Sequence, residues 1–175
     1  MEQPIGSTDA PGQSPDPGDS VAANLSQPLL TAFTPLERQA WRAFLQTHAR
    51  VAHRLEADLL STDDLPLAEF DVLFQLAVAD GKRLRMNELA ERVLLSRAGI
   101  TRLIDRLVAD GLVSRAKCES DARGFFAVLT ELGGARLEAA APNHRAAVRR
   151  FFLARFTPQE LELLANLLDR AFPLD

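Results

Sequence analysis

The chain has 175 residues, 47% of them hydrophobic and 25% charged, and a net charge of −4. That is enough apolar material for one domain of ordinary size, and no run of about 18 apolar residues exists to cross a membrane. The single cysteine, Cys118, excludes an internal disulfide framework and any multi-cysteine zinc or iron–sulfur centre.

Residues 1–33 read as a disordered acidic tail. The first 20 residues hold four prolines, three glycines and three serines, with almost no large apolar side chain. Ordering them would bury too little surface to offset the entropy lost. No basic stretch followed by an apolar run opens the chain, so a cytoplasmic location is expected.

The fold is expected to span residues 34–175. Thr34-Pro35-Leu36-Glu37 is a helix start: Thr34 caps, Pro35 suits the first helical position, and Glu37 completes a capping box. Apolar residues then recur at helical spacing from Leu36 through Trp41, Phe44, Val51 and Leu55 to Leu59. The helix should end at Ser61. A second helix follows Pro66, with Phe70, Leu73, Phe74, Leu76 and Ala77 on its buried side. Asp80-Gly81 breaks it. A short third helix should run from about Asn87 to Val93, and a fourth from about Ser96 to Asp110, stopped by Gly111. Leu112–Lys117 and Gly124–Leu129 read as strands joined by the polar tip Cys118–Arg123. Thr130 should cap a helix from Glu131 to about Arg155, kinked or interrupted at Pro142. Thr157-Pro158-Gln159-Glu160 opens a last helix.

Two short helices followed at once by a β-hairpin describe a winged helix-turn-helix. The fold class is therefore mainly α with a small β-wing, flanked by long N- and C-terminal helices. Charge supports a nucleic-acid partner despite the acidic whole. Residues 1–81 hold four basic and twelve acidic side chains, whereas residues 82–123 hold ten basic and six acidic, a local positive patch. In the fourth helix Ile100, Leu103, Ile104, Leu107 and Val108 form the inward stripe. The N-terminal end of a recognition helix meets base edges in the major groove, and here it carries Ser96, Arg97, Ala98 and Thr101. Arginine reads guanine, serine and threonine adapt, and alanine touches a thymine methyl. Arg102 and Arg106, one turn apart, are candidates for phosphate.

At these residues the sequence becomes recognisable. Met86-Asn87-Glu88-Leu89-Ala90-Glu91-Arg92, Leu95-Ser96-Arg97, Ile100–Leu107 and Gly111-Leu112-Val113, followed by Asp121-Ala122-Arg123-Gly124 and Leu129-Thr130, closely resemble the MarR family of bacterial transcription regulators. The likeness runs from about Leu36 to Phe172. That family's wing commonly carries two arginines around this aspartate, and Ala122 stands in place of the first. The resemblance implies that Arg123 enters the minor groove from the hairpin tip, where narrow-groove potential favours arginine. It implies that Asp121 buttresses the wing by pairing with Arg115. It also implies a homodimer on a pseudo-palindromic DNA operator. Residues 34–61 and 131–175 would be the dimerisation helices, around a winged helix-turn-helix at 65–130. Trp41, Phe44, Phe151, Phe152, Phe156, Leu164, Leu168 and Phe172 would supply the interface.

The family likeness further implies a small-molecule effector in a cleft where the first two helices meet the helix around Pro142. His48, Arg50, Val51, Leu55, Phe70 and Phe74 are its expected lining. Such a pocket suits an aromatic or lipophilic compound, an acid or phenol, with Arg50 or His48 orienting its polar end. His48 and His53 are five apart, which misses the spacing a shared metal needs on a helix, so neither a metal nor any other cofactor is expected. Cys118 reads as a strand-end thiol. No phosphate loop or nucleophile elbow is present and Gly133-Gly134 is too short to cradle a phosphate, so no enzyme is expected. The other reading is a winged-helix module that contacts only proteins; the arginines of the fourth helix and Arg123 argue against it.

Overall fold

The computed structural model describes residues 32–93, 97–118 and 121–171, with side chains for all of these except residues 97, 118 and 121–124. Residues 1–31 of the expected tail, Ser96 and Phe172 lie outside the described residues. Helix α1 is Pro35–Asp63 and α2 is Leu67–Val78. A 3-10 turn at Asp80–Lys82 leads into β1 (Arg83–Arg85), then α3 (Met86–Arg92) and α4 (Arg97–Ala109). The hairpin is β2 (Val113–Cys118) and β3 (Asp121–Leu129). Helix α5 (Glu131–Phe151), a 3-10 turn at Leu153–Arg155 and α6 (Pro158–Ala171) complete the order.

The chain divides into two compact units, Met1–Thr47 and His48–Asp175. In the first, the capping box forms in both directions. Thr34 N donates to Glu37 Oε2 at 2.6 Å and Glu37 N donates to Thr34 Oγ1 at 3.2 Å. These bonds hold the Glu37 carboxyl below its usual range. Trp41 and Phe44 stack with ring centroids 5.9 Å apart, and both remain exposed.

The second unit holds the core. Leu59, Leu65, Phe70, Leu73, Leu76, Leu84, Leu89, Ile100, Ile104, Leu107, Val113, Ala127 and Leu137 are buried in one cluster. No charged or polar residue is buried among the described residues. On α2 the buried set is Phe70, Val72, Leu73 and Leu76, and Phe74 turns outward at 46% exposure. Expecting Phe74 inside was wrong, because the core-facing arc of α2 is centred nearer Val72 and Leu76 than the apolar count suggested. Val108 likewise lies at the margin, 36% exposed.

The sheet has three antiparallel strands in the order β1-β3-β2. Strand β1 is an addition to the sequence reading; Leu84, its central residue, is buried opposite Ala127. The hairpin is longer than expected. Its pairing continues out to Cys118↔Asp121, with an irregularity at Lys117/Cys118. Helix α5 runs through Pro142 without ending. Proline removes one N–H and clashes with the carbonyl four residues back, here that of Glu138. Both residues are exposed, so solvent can serve the freed carbonyl. The helix stops at Phe151 rather than Arg155.

Two polar junctions tie the C-terminal part of α1 to α5 within this unit. Arg136 donates to the carbonyls of Asp63 and Asp64, the end of α1, and Asn143 Nδ2 reaches the Asp63 carboxylate at 3.3 Å. Arg150 pairs with Asp58.

Candidate nucleic-acid interface

Helices α3 and α4 form the helix-turn-helix, and the burial of α4 divides its two faces. Ile100, Leu103, Ile104 and Leu107 are inside, whereas Ala98, Thr101, Arg102, Asp105 and Arg106 face out. The helix ends as the glycine predicts. Gly111 has φ 73°, Leu112 N donates to Leu107 O at 2.9 Å and Gly111 N to Val108 O at 3.0 Å. That pair of bonds is a Schellman motif, and it sends the chain directly into β2.

The charged residues of the outward face have different partners. Arg102 has no ion-pair partner among the described residues. Arg106, expected beside it on phosphate, reaches back to α2, with Nη2 3.5 Å from Glu69 Oε1. Glu69 is almost enclosed, its side chain 12% exposed against 65% for Arg106. Burial pushes the Glu69 carboxyl above its usual range, and Arg106 pulls it partly back. Asp105 accepts from Arg115 Nη2 at 2.6 Å, a link between the recognition helix and the root of the wing. Arg115 thus pairs with Asp105, a contact the sequence reading did not anticipate. The Asp121 side chain lies outside the described ones. Asp105 is one turn beyond Thr101 on the outward face, so its approach to β2 follows from how the hairpin leaves Gly111.

Arg123 belongs to strand β3, two residues past its start. Strand β2 includes Cys118 and β3 begins at Asp121, so the expected six-residue tip Cys118–Arg123 is corrected: Cys118 and Asp121 to Arg123 belong to the strands. Register explains this: pairing carries on past Lys117↔Phe125 to Cys118↔Asp121. The side chains of Arg97, Arg123 and Cys118 lie outside the described ones.

Sequence reasoning missed the arginines of β1. Arg83 and Arg85 lie over the Phe126 ring, 5.0 and 5.5 Å from its centroid, a cation–π arrangement on the outer face of the sheet. The signal was the alternation Arg-Leu-Arg around buried Leu84, too short to read as a strand.

Thr130 and Gly133 fix how α5 leaves the wing. Thr130 Oγ1 accepts from Gly133 N at 3.0 Å and lies 2.9 Å from Leu112 O and 2.8 Å from Gly111 O. A Cβ on Gly133 would fall 2.1 Å from Leu112 O. Gly133 is therefore a packing glycine where α5 meets the turn after α4.

A cavity of about 330 Å³ opens beside this lobe. Ala52, Leu67, Ala68 and Val93 make its apolar wall, and His53, Glu56 and Asp71 its polar part. None of His48, Arg50, Val51, Leu55, Phe70 and Phe74 lines it. His48, Arg50 and Phe74 are exposed, and Val51 and Leu55 are half-buried. Phe70 is buried against His144, ring centroids 4.2 Å apart. That contact joins α2 to α5. His144 Nδ1 is buried without a hydrogen-bond partner among the described residues, and burial pushes the ring's pKa down. Among the described residues no three His, Cys, Asp or Glu side chains gather as a metal site.

Known proteins share this fold. The MarR family model matches residues 63–124. An uncharacterized HTH-type transcriptional regulator of Bacillus cereus is 33% identical over 119 residues, covering 68% of this chain and 78% of the relative. The HTH-type transcriptional repressor YetL of Bacillus subtilis is 34% identical over 104 residues, 59% of this chain and 62% of that protein. Among solved structures, AbsC, a MarR family regulator of Streptomyces coelicolor, matches with a TM-score of 0.72 at 37% identity, over 79% of this chain and 93% of that one. Sco3205 of the same organism, crystallised in complex with DNA, matches with a TM-score of 0.74 at 32% identity, over 79% and 87%.

Proposed function

The chain belongs to the MarR family of DNA-binding transcriptional regulators, and on that premise we propose that it is a homodimeric repressor of a pseudo-palindromic operator, released by a small lipophilic or aromatic ligand. It is a regulator and not an enzyme.

The outward face of α4 carries the reading. Four apolar residues commit one face of the helix to the core, which turns Ala98, Thr101 and Arg102 to the outward face, where a groove would meet them. Ser96, Arg97, Ala98 and Thr101 read base edges, Arg102 holds phosphate, and Arg123 reaches the minor groove from β3. Arg106 serves phosphate only if it leaves Glu69. Arg115 holds the wing root through Asp105, and Asp121 supports the wing beyond it. A relative named as a repressor supports the direction of control. In the dimer the two α4 helices lie roughly 34–36 Å apart, one turn of DNA, or a multiple of that spacing.

The effector site is the cavity beside His53 and Asp71. Its occupant lowers operator affinity only by binding the non-competent dimer more tightly. A tenfold loss requires about 1.4 kcal/mol of coupling, and the operator then weakens the ligand equally. The test is retention of genomic fragments by the purified protein, followed by footprinting. A protected inverted repeat supports the reading, and the absence of any preferred fragment overturns it.

A further inference from the structure

The chemistry of the cavity differs from what the chain's arginine-rich character suggests. Among the described residues no lysine or arginine lines it. Its polar groups among them are one imidazole, His53, and two carboxylates, Glu56 and Asp71. Glu56 already serves the fold: its Oε2 accepts from Leu67 N at 2.6 Å, the first amide of α2. Asp71 has no hydrogen-bond or ion-pair partner among the described residues. It stands one turn along α2 from Leu67 and Ala68, so its carboxylate faces the same opening as the apolar wall. Arg54, the neighbour of His53, is directed to the Phe151 ring, 5.7 Å from its centroid.

We infer that this cavity selects a compact apolar compound bearing a protonated amine, with Asp71 as the counter-ion, and discriminates against aromatic acids. The inference rests on the reading of this cavity as the effector site. A carboxylate ligand would enter beside two negative groups, with His53 alone among the described lining residues to receive it. An ammonium group would instead give Asp71 the partner it lacks, in a site partly withdrawn from water, where such a pair is stronger than on the open surface. Burial of the Asp71 carboxyl, which raises its pKa, is consistent with a group awaiting a cation. The volume lies at the low end of ligand pockets, which fits a single ring with a short arm.

The experiment is calorimetry on the full chain with three probes sharing one ring: 2-phenylethylamine, 2-phenylethanol and 3-phenylpropionate. The amine should bind at least tenfold tighter than the carboxylate, about 1.4 kcal/mol. In Asp71→Asn the advantage of the amine over the alcohol should vanish while the alcohol's affinity holds. Ala68→Leu, which fills the cavity without changing charge, should abolish binding of all three. Failure of the amine to bind, equal or tighter binding of 3-phenylpropionate, an amine preference that survives Asp71→Asn, or amine binding that survives Ala68→Leu would each overturn the inference. Operator affinity is measured separately on the same preparations. Amine selectivity without any effect on the operator would count against the effector reading and leave the ligand chemistry standing.

Discussion

Arg106 and Asp105 are adjacent on α4, yet one turns to α2 and the other to the wing. The Arg106–Glu69 contact joins an exposed cation to an almost enclosed carboxylate, so its loss matters mostly through Glu69. Arg106→Ala should cost about 1 kcal/mol of stability at neutral pH, the upper range for a pair with one exposed member. Because the Glu69 pKa is already raised, that loss should shrink as pH falls through it, when the neutral acid no longer needs the arginine. Urea unfolding at pH 7 and near pH 4.5 checks this, and an unchanged difference would remove Glu69 from the account. Asp71 obeys the same sign: its folded pKa is raised by burial, so ionisation costs stability at neutral pH. Asp71→Asn should therefore raise the melting temperature at pH 7, with the gain fading as pH falls through the raised pKa towards 3.8. Arg97→Ala has a different readout, operator binding. It should cost about 1–3 kcal/mol at one half-site position and relax the base preference there. Arg123→Ala should weaken all sequences alike and flatten the salt dependence.

The two glycines that open α5 separate packing from propensity. Gly133 has no room for a side chain against Leu112 O, whereas nothing lies within 4 Å of a Cβ on Gly134. Gly133→Ala should destabilise by roughly 1–3 kcal/mol, as overpacking does, and should disturb the turn that aims the wing. Gly134→Ala, in an ordinary helical position, should be stabilising by about 0.4–1 kcal/mol. Chemical denaturation of the two variants side by side checks the pair, and equal effects would contradict the close approach. Thr130 works at the same joint, as the cap of α5 and as a donor to the turn after α4. The spacing of Leu129-Thr130 and Gly133 was visible in the chain, but not that the carbonyl of Leu112 is what makes the glycine necessary.

Helix α6 exposes Leu163, Leu167 and Leu168, and the first unit exposes Leu36, Trp41, Phe44 and Leu45. Large apolar groups left in water in each unit mark interaction surfaces. A second copy is the proposed occupant, through an isologous contact. Sedimentation at micromolar concentration should report about twice the 19.2 kDa chain mass. Trp41→Ala with Phe44→Ala should shift the equilibrium towards monomer. A monomeric native chain would remove the basis for a two-half-site operator. Operator affinity should also fall steeply with salt, because arginine contacts to phosphate release counterions.

Periodicity and capping residues are local, and they were sufficient for most of the architecture. Thr34 with Glu37, Gly111 and Thr130 mark helix ends where the structure has them, and the inward stripe of α4 separates its two faces because a helix has a fixed period. The recognition motif from Met86 to Val113 is equally local, which is why the family could be named from residues alone. What depends on the phase of one element against another was not legible. Phe74 faces out, and the cavity is lined by His53, Glu56 and Asp71, because each helix's rotation about its axis is set by its neighbours' side chains. Arg115 meets Asp105 because hairpin register and the exit from Gly111 bring β2 beside α4. β1 exists only because β3 offers it an edge: a three-residue strand carries too little pattern of its own, and its hydrogen bonds come from a partner more than 40 residues away.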